Sequence, residues 1–170
     1  MRPMVFEFMN DPAVPYLDQQ YMLGDALMVA PVFREDKTAQ YYLPEGTWTE
    51  LLTEETKEGG RWYKGTYDYF SMPLYIRENS IVVRGNCDTR PDYDYADHAT
   101  VCVYQLKDAA ETKVPDVHGN TVFTVKAVKE GDAVKVSVEG AHTELKVEVF
   151  VGNEKKEAVL AADADEVVVA

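Results

Sequence analysis

The stretch "TVFTVKAVKEGDAVKVSVEG", residues 121–140, decides the fold class because its apolar and polar residues alternate. Phe123, Val125 and Ala127 occupy every second position before the segment "KEGD", and valines do the same after it. A period of two places alternate side chains on opposite faces of a β-strand. Gly131 lies in the polar segment and can adopt the positive φ angle of a tight turn. The pattern predicts a β-hairpin with one apolar face.

The same period continues towards the C-terminus. The runs "ELKVEVFVG" (144–152) and "DEVVVA" (165–170) place β-branched residues at alternate positions, with Lys and Glu between several of them. No segment of this region has the 3.6-residue period of a helix. Several short strands at this spacing predict a small antiparallel β-sandwich.

Towards the N-terminus, the composition changes near Asp97. Both tryptophans, every arginine and all tyrosines except Tyr104 precede that point. The stretch "NCDTRPDYDYADHAT" (86–100) has the polar, turn-rich composition of a connection between domains. We therefore expect a boundary between two domains in this stretch.

The first half also contains strand patterns. Residues 39–53, "AQYYLPEGTWTELLT", predict two strands around a Pro44–Gly46 turn, and residues 72–83, "MPLYIRENSIVV", predict two strands around Glu78–Asn79. The segment 53–62, "TEETKEGGRW", predicts a loop. Residues 1–25 differ, since "RPMVFEF" predicts a strand and "DPAVPYLDQQYMLGD" a helix that ends at Gly24.

The charge balance limits the classes of partner. Seventeen Lys and Arg residues stand against 30 Asp and Glu residues, for a net charge of −13. Such a chain repels phosphate backbones and anionic lipids, which excludes nucleic acid and membrane surfaces as expected partners and leaves neutral ligands such as sugars. No apolar run approaches a membrane span, and the first residues contain no secretory signal pattern. Two cysteines, Cys87 and Cys102, predict reduced thiols, so we expect a cytoplasmic protein.

Four ordered motifs carry a family resemblance. The segments "RPMVFEFMNDP", "YLDQQYMLGDALMVAPV", "YYLPEGTWTELLT" and "MPLYIRENSIV" follow one another in an order that resembles the C-terminal part of glycoside hydrolase family 31. That family includes α-glucosidases and α-xylosidases. Phe6 stands where many α-glucosidases of the family have His, and with the linker "NCDTRPDY" it favours the α-xylosidase branch.

The resemblance implies an order of domains and a role for each of them. The chain would be all-β apart from residues 1–25, which would be the last β/α unit of a (β/α)8 catalytic barrel. A proximal β-sandwich over residues 26–95 and a distal one over residues 96–170 would follow and support that barrel. The family is retaining, with two carboxyl groups on earlier barrel strands, and neither motif is present in this chain. The intact enzyme would need no cofactor, its missing barrel would be the partner of this chain, and Phe6 would line its sugar site. Without that barrel, we expect residues 1–25 to pack poorly or to mediate homo-oligomer formation.

Several residues are of the types that occur in catalytic or metal-binding sites, but each has a simpler structural explanation. The acids Glu7, Asp11, Asp18 and Asp25 are expected to be caps or solvated groups, since retaining hydrolysis needs two carboxyl groups about 5 Å apart. The three histidines lie in turns with no Ser or Cys motif beside them: His98, His118 and His142. The stretch "DTRPDYDYADH" (88–98) lacks the Gly and Glu of a calcium loop, so we predict no metal site.

The aromatic residues leave two alternative functions open. Trp48 is expected in the core, whereas Trp62 and Tyr63 lie beside a Gly-Gly pair where a sugar-binding platform is equally plausible. The chain is therefore predicted to be an accessory region of an α-glycosidase. The alternatives are an independent carbohydrate-binding module that holds an oligosaccharide and a purely structural Ig-like sandwich.

Overall fold

The computed structural model describes all residues, Met1–Ala170, and it is an all-β protein. Sixteen strands are present, and the only helices are two short 3₁₀ turns, Met4–Phe6 and Val14–Tyr16. No helix has the length and apolar character that crossing a membrane requires. The chain divides into two compact units, Met1–Glu78 and Asn79–Ala170.

The first unit contains a six-stranded antiparallel sheet and a two-stranded ribbon. The large sheet has the order β1-β2-β3-β8-β5-β6, and β4 pairs with β7 in the ribbon. The strands are β1 (Arg2–Pro3), β2 (Tyr21–Leu23), β3 (Leu27–Val29), β4 (Thr38–Leu43), β5 (Thr47–Glu50), β6 (Thr56–Glu58), β7 (Arg61–Thr66) and β8 (Leu74–Arg77).

The sheet and the ribbon share one apolar core. Trp48 of β5 is only 1% exposed, and its indole N–H donates a 2.8 Å hydrogen bond to the Pro44 carbonyl. The Phe8 ring lies 6.1 Å from the Trp48 ring, and Tyr41 of β4 belongs to the same core. The expectation that Trp48 is a core residue is therefore confirmed.

Two connections between the sheet and the ribbon run side by side. The turn at Pro44–Gly46 leads from β4 to β5, and Gly59–Gly60 leads from β6 to β7. The Gly59 N–H donates to the Gly46 carbonyl at 2.7 Å, and a Cβ at Gly59 would lie 1.8 Å from the Pro44 carbonyl oxygen. Only glycine allows the two backbones to approach this closely. The Pro44–Gly46 turn is confirmed, but its two strands pair with other strands rather than with each other.

The predicted helix over residues 11–25 is wrong. Residues Tyr21–Leu23 form strand β2, which pairs with Leu27–Val29 around a turn at Gly24, where φ is +64°. The Gln20 side chain makes two hydrogen bonds with the backbone of Tyr42, donating at 2.7 Å and accepting at 2.8 Å. These long-range hydrogen bonds hold the segment in an extended conformation, although its local apolar spacing favours a helix.

The first 25 residues are packed into the first unit, contrary to the expectation of poor packing. Met4, Val14 and Met22 are almost completely buried in its core. The predicted strand "RPMVFEF" is reduced to Arg2–Pro3, which pairs with β2, and continues as the Met4–Phe6 turn. Part of the segment is nevertheless exposed, since Phe6 and Met9 remain largely open to solvent.

The second unit contains two four-stranded sheets, with the orders β15-β14-β10-β9 and β11-β12-β13-β16. Its strands are β9 (Ser80–Arg84), β10 (Thr100–Tyr104), β11 (Ala109–Pro115), β12 (Thr121–Glu130), β13 (Ala133–Gly140), β14 (Leu145–Val151), β15 (Glu154–Leu160) and β16 (Glu166–Val169).

Alternate valines of both sheets meet in one core. Val101 and Val147 come from one sheet, and Val125 and Val136 come from the other. The hairpin β12–β13 is confirmed, and Gly131 has a φ of +65° in its turn. One pair departs from the predicted antiparallel arrangement, because β10 and β14 are parallel. Strand β9 pairs with β10, so the boundary between the units lies at residue 78, earlier than the composition change suggested.

Candidate functional site

The four acids that sequence reasoning considered are used in structural contacts or left in solvent. Both oxygens of Glu7 are in ion pairs, one with Arg2 at 2.9 Å and one with Arg77 at 3.4 Å. Asp25 also binds Arg2, at 2.7 Å, and Asp11 accepts a 3.0 Å hydrogen bond from the Ala13 N–H. Asp18 is exposed on a groove described below. Glu7 and Asp11 both line an open groove on the first unit, but Glu7 is held by its two arginines and Asp11 by the turn at Ala13.

The histidines are placed apart. His98 lies 2.7 Å from Asp97, its neighbour in the chain. His118 lies in the turn between β11 and β12, and the ring nitrogens of His142 face the carbonyls of Thr143 and Ala164. No group of three or more His, Cys, Asp or Glu side chains is arranged to hold a metal ion. The ring of His98 is therefore held by its neighbour in the chain, whereas the ring of His142 joins its own segment to the Ala164 carbonyl, 22 residues further along.

The two cysteines differ in their surroundings. Cys102 is buried, its thiol lies 3.6 Å from Glu148, and burial raises the pKa of this thiol to about 11. A thiol with such a pKa stays protonated near neutral pH, so it is a poor nucleophile. A hydrogen bond with Thr89 lowers the pKa of the exposed Cys87 thiol. Both cysteines are free.

Three open grooves lie on the first unit, and two of them are lined by acids or aromatic residues that the sequence singled out. The larger, about 710 Å³, follows residues 7–13 and the paired corners at Pro44–Glu45 and Gly59–Gly60. The smaller, about 310 Å³, lies beside the β4–β7 ribbon. It is lined by Tyr16, Leu17, Asp18, Gln19, Gln20, Arg34, Gln40 and Trp62.

The aromatic residues singled out in the sequence separate into two groups. Trp48 is in the core, and the Tyr63 ring stacks on Tyr41 at 5.9 Å while its hydroxyl donates to the Glu58 carbonyl at 2.7 Å. Trp62 remains 49% exposed, with its ring 5.6 Å from that of Tyr42. Of the three aromatic residues, Trp62 keeps the largest exposed surface, since Trp48 is buried and Tyr63 is half-buried.

A buried polar cluster was missed by sequence reasoning. The hydroxyls of Tyr41 and Tyr75 are 2.8 Å apart, and the Tyr67 hydroxyl donates to Tyr41 at 3.1 Å. Lys57 donates to the Tyr75 oxygen and lies 3.6 Å from Glu50. Burial, followed by the hydrogen bond with Tyr41, raises the pKa of Tyr67 and of Tyr75 well above its usual range. The alternating pattern indicated that Tyr75 lies in a strand, but only the three-dimensional pairing brings the cluster together.

This cluster predicts a loss of stability in alkali. Tyr75 is completely buried, so it ionises near pH 10 in the unfolded chain but not in the folded one. The stabilisation is therefore complete below about pH 10 and is lost as the pH rises further, by about 1.4 kcal/mol per pH unit for this tyrosine. Tyr75→Phe should give a less stable protein at pH 8 with a smaller loss between pH 10 and 12. Urea unfolding followed by tryptophan fluorescence measures this, since both tryptophans belong to the first unit.

The control is Tyr69→Phe, which alters an exposed tyrosine. This variant should keep the pH dependence of the parent chain. Equal slopes for all three proteins above pH 10 would contradict the role assigned to Tyr75.

A second charged cluster lies in the second unit, on the face of its sheet opposite the valine core. Glu148 is buried, with Arg84 at 2.6 Å and Lys146 at 2.8 Å. Burial pushes the pKa of Glu148 upward, but the hydrogen bond from Lys146 and the charges of Arg84 and Lys146 outweigh burial, so the pKa lies below its usual range. The carboxylate is held ionised by its cationic neighbours.

Two family models match successive parts of the chain. Residues 1–82 match the family model "Glycosyl hydrolase family 31 C-terminal domain", and residues 94–170 match "Alpha-xylosidase YicI, C-terminal domain". The α-xylosidase XylQ of Lactiplantibacillus pentosus is 32% identical over 158 residues, which cover 91% of this chain and 21% of that protein.

Solved structures show the same fold. The family 31 α-xylosidase from Xanthomonas citri aligns with a TM-score of 0.76 and 26% identity over 99% of this chain and 21% of its own. The cycloalternan-forming enzyme from Listeria monocytogenes aligns with a TM-score of 0.84 at 20% identity, over 99% of this chain and 20% of its own. The chain spans about a fifth of the length of these relatives.

The all-β architecture agrees with these matches to C-terminal domains of family 31 glycosidases. The two family models together cover nearly the whole chain, and the first of them, over residues 1–82, contains all four sequence motifs. The chain belongs to the C-terminal region of glycoside hydrolase family 31.

Proposed function

We propose that the chain is the accessory C-terminal region of a larger retaining α-glycosidase of the α-xylosidase type, and that it is not catalytic by itself. The observation that carries the proposal is that both C-terminal family models match while the chain spans about a fifth of its relatives. The relatives include named α-xylosidases from Lactiplantibacillus pentosus and Xanthomonas citri, which favours an α-xyloside as substrate of the intact enzyme.

In this proposal, the catalytic barrel of the intact enzyme is the partner of the first unit. The unit leaves large apolar side chains in solvent, among them Phe6 at 69% exposure, Met9, Tyr69 and Phe70. Exposed apolar surface of this kind is typical of a surface that another protein covers. Strand β1 also lies at the edge of the six-stranded sheet, where its outer side has no neighbouring strand.

Phe6 has a specific role in the proposal. Its neighbour Met4 anchors the 3₁₀ turn in the core, whereas the Phe6 side chain is directed to solvent. We assign Phe6 to the sugar site of the intact enzyme, at the rim where the barrel's last strand ends. Residues 1–25 would then complete the barrel while Met4, Val14 and Met22 fasten them to the first unit.

The first test is catalytic. The chain should release no phenol from aryl α-xyloside or aryl α-glucoside above the buffer rate, because retaining hydrolysis needs a nucleophilic carboxylate and a separate acid. Glu7 is already held by two arginines and Asp11 caps a turn. Turnover that scales with the chain and disappears in Glu7→Gln or Asp11→Asn would refute the proposal.

The second test is a chimera. The C-terminal region of XylQ, replaced by this chain, should give a soluble enzyme that cleaves aryl α-xyloside, while XylQ without any C-terminal region should not. Phe6→Ala in the chimera should reduce kcat/KM at least tenfold, which corresponds to about 1.4 kcal/mol of transition-state stabilisation. Val168→Ala, at an exposed position of the second unit, is the matched control and should leave kcat/KM unchanged. A fully active Phe6→Ala chimera would remove Phe6 from the sugar site.

A further inference from the structure

The smaller groove combines exposed aromatic rings with planar polar side chains. Its volume is about 310 Å³ and it lies entirely on the first unit. Six of its eight lining residues are exposed: Tyr16, Asp18, Gln19, Arg34, Gln40 and Trp62.

The groove is built by the register of the β4–β7 ribbon. Tyr42 pairs with Trp62, so the two rings lie on the same outer face, 5.6 Å apart. Gln40 lies two residues before Tyr42 and therefore points to that face as well. The ring of Trp62 rests on Tyr42 on one side and remains 49% exposed.

The opposite wall is fixed by Gln20. This residue is buried, and its amide group holds both the N–H and the carbonyl of Tyr42, as a neighbouring strand would. The bonds bring residues 16–19 alongside the ribbon, so Tyr16 and Trp62 line one groove although they are far apart in the chain. Tyr16 is 82% exposed.

The polar side chains are suited to hydroxyl groups. Arg34 is oriented by Asp36, which accepts two hydrogen bonds of 3.1 Å from its Nε and Nη2 atoms. Gln19 and Gln40 offer amide donors and acceptors, and Asp18 adds carboxylate acceptors. Since the Arg34 charge is already paired and the chain carries a net charge of −13, the groove does not favour an anion.

A pyranose ring fits this combination. Its axial C–H groups are weakly positive and pack against the negative face of an aromatic ring, while its hydroxyls need donors and acceptors at the edges. The volume is at the lower end for small-molecule sites, which is the size of one or two sugar rings. We propose that the groove at Tyr16 and Trp62 binds a neutral oligosaccharide through one or two of its glycosyl residues.

This binding is separate from the proposed support of a catalytic barrel. The groove belongs to the first unit and needs no residue from another chain. A saccharide held there would increase the local concentration of substrate around the intact enzyme. Because the test below uses only the 170-residue chain, its result does not depend on the chimera described above.

Calorimetric and NMR titration of the chain with maltotriose, isomaltotriose and xylobiose tests the proposal. At least one of these sugars should bind saturably with a Kd of about 1 mM, a value typical of a small number of contacts. The shifted amide signals should belong to residues 16–20, 34, 40 and 62. Trp62→Ala should weaken this binding at least tenfold, and Trp62→Phe, which keeps an aromatic ring, should weaken it less.

The matched control is Tyr69→Ala, which removes an exposed aromatic ring outside the groove and should leave the Kd unchanged. The fluorescence of the buried Trp48 shows whether each variant is folded. Absence of saturable binding for all three sugars up to about 20 mM would overturn the proposal, since weaker binding falls below the range of a specific site. Binding that survives in Trp62→Ala, or that is lost equally in Tyr69→Ala, would overturn the assignment to this groove.

Discussion

Replacing Trp48 with alanine should lower the free energy of unfolding of the first unit by about 3–5 kcal/mol, the range observed for removal of a large buried aromatic side chain. The indole is 1% exposed, and it contacts Phe8 of the N-terminal segment. Its N–H also donates a hydrogen bond to the Pro44 carbonyl. That carbonyl lies close to the backbone of Gly59. The substitution therefore removes core contacts and leaves a buried carbonyl without its donor.

Urea unfolding monitored by fluorescence of the remaining Trp62 measures this loss. Trp62→Ala is the matched control, because it removes the same side chain from a half-exposed position in the same unit. Its cost should be clearly smaller, about 1 kcal/mol. Similar costs for the two variants would show that the first unit does not depend on the packing around Trp48.

The second large effect concerns the charges around Glu148. The double variant Arg84→Ala with Lys146→Ala should destabilise the second unit by about 3–5 kcal/mol, because it leaves a buried carboxylate without its two cationic partners. Glu148 is almost completely buried, and its two oxygens contact these partners at 2.6 and 2.8 Å. In the double variant, the pKa of Glu148 should rise, since burial is then opposed by the charge of Lys155 without the contributions of Arg84 and Lys146.

A third substitution separates charge from packing. Adding Glu148→Gln to the double variant removes the unpaired charge and should recover part of the lost stability. Hydrogen exchange of the amides in β10 and β14 reports on this unit. Lys135→Ala is the control, since its ion pair with Glu166 lies on the surface and should contribute little to stability. A loss no larger in the Arg84 and Lys146 variant than in Lys135→Ala would contradict the role of the cluster.

The strands of the second unit could be predicted because their information is local. Residues 121–140 alternate cleanly around Gly131, and the structure has a hairpin with the expected positive φ there. Strands β10, β11 and β15 were not predicted. In β11 and β15, polar residues outnumber or interrupt the apolar ones, and β10 directly follows the polar stretch that was interpreted as a connection. The parallel pairing of β10 with β14 was also missed, because residues some 45 positions apart carry no local signal for it.

The N-terminal segment shows how long-range contacts override local pattern. The apolar spacing at Leu17, Tyr21 and Met22 is compatible with one turn of a helix as well as with a strand. The bonds between Gln20 and the backbone of Tyr42 select the extended form. Gly24 followed by Asp25 was the available signal, since this dipeptide is as typical of a hairpin turn as of a helix end.

The candidate site was predictable in part. Composition and the exposed position beside a Gly-Gly pair pointed to Trp62 but equally to Tyr63, which turned out to be tied to Glu58 and Tyr41. Tyr16 and Arg34 could not be assigned to the same groove, because their proximity to Trp62 depends on strand register and on Gln20. The family resemblance was confirmed, since it rests on the order of four motifs rather than on three-dimensional proximity.

The parallel pairing of β10 with β14 has a consequence for the order of folding. Strands β11, β12 and β13 lie between them in the chain and are joined to one another by short turns, so this meander closes only small loops. The sheet that contains β10 is completed only when β14, which follows this meander in the chain, pairs with β10. Since pairings between distant residues form late, we expect the meander to be structured in the folding transition state and the β10–β14 pairing to set the folding rate. A chain ended before residue 145 would keep the early-forming hairpins but could not close the second sheet.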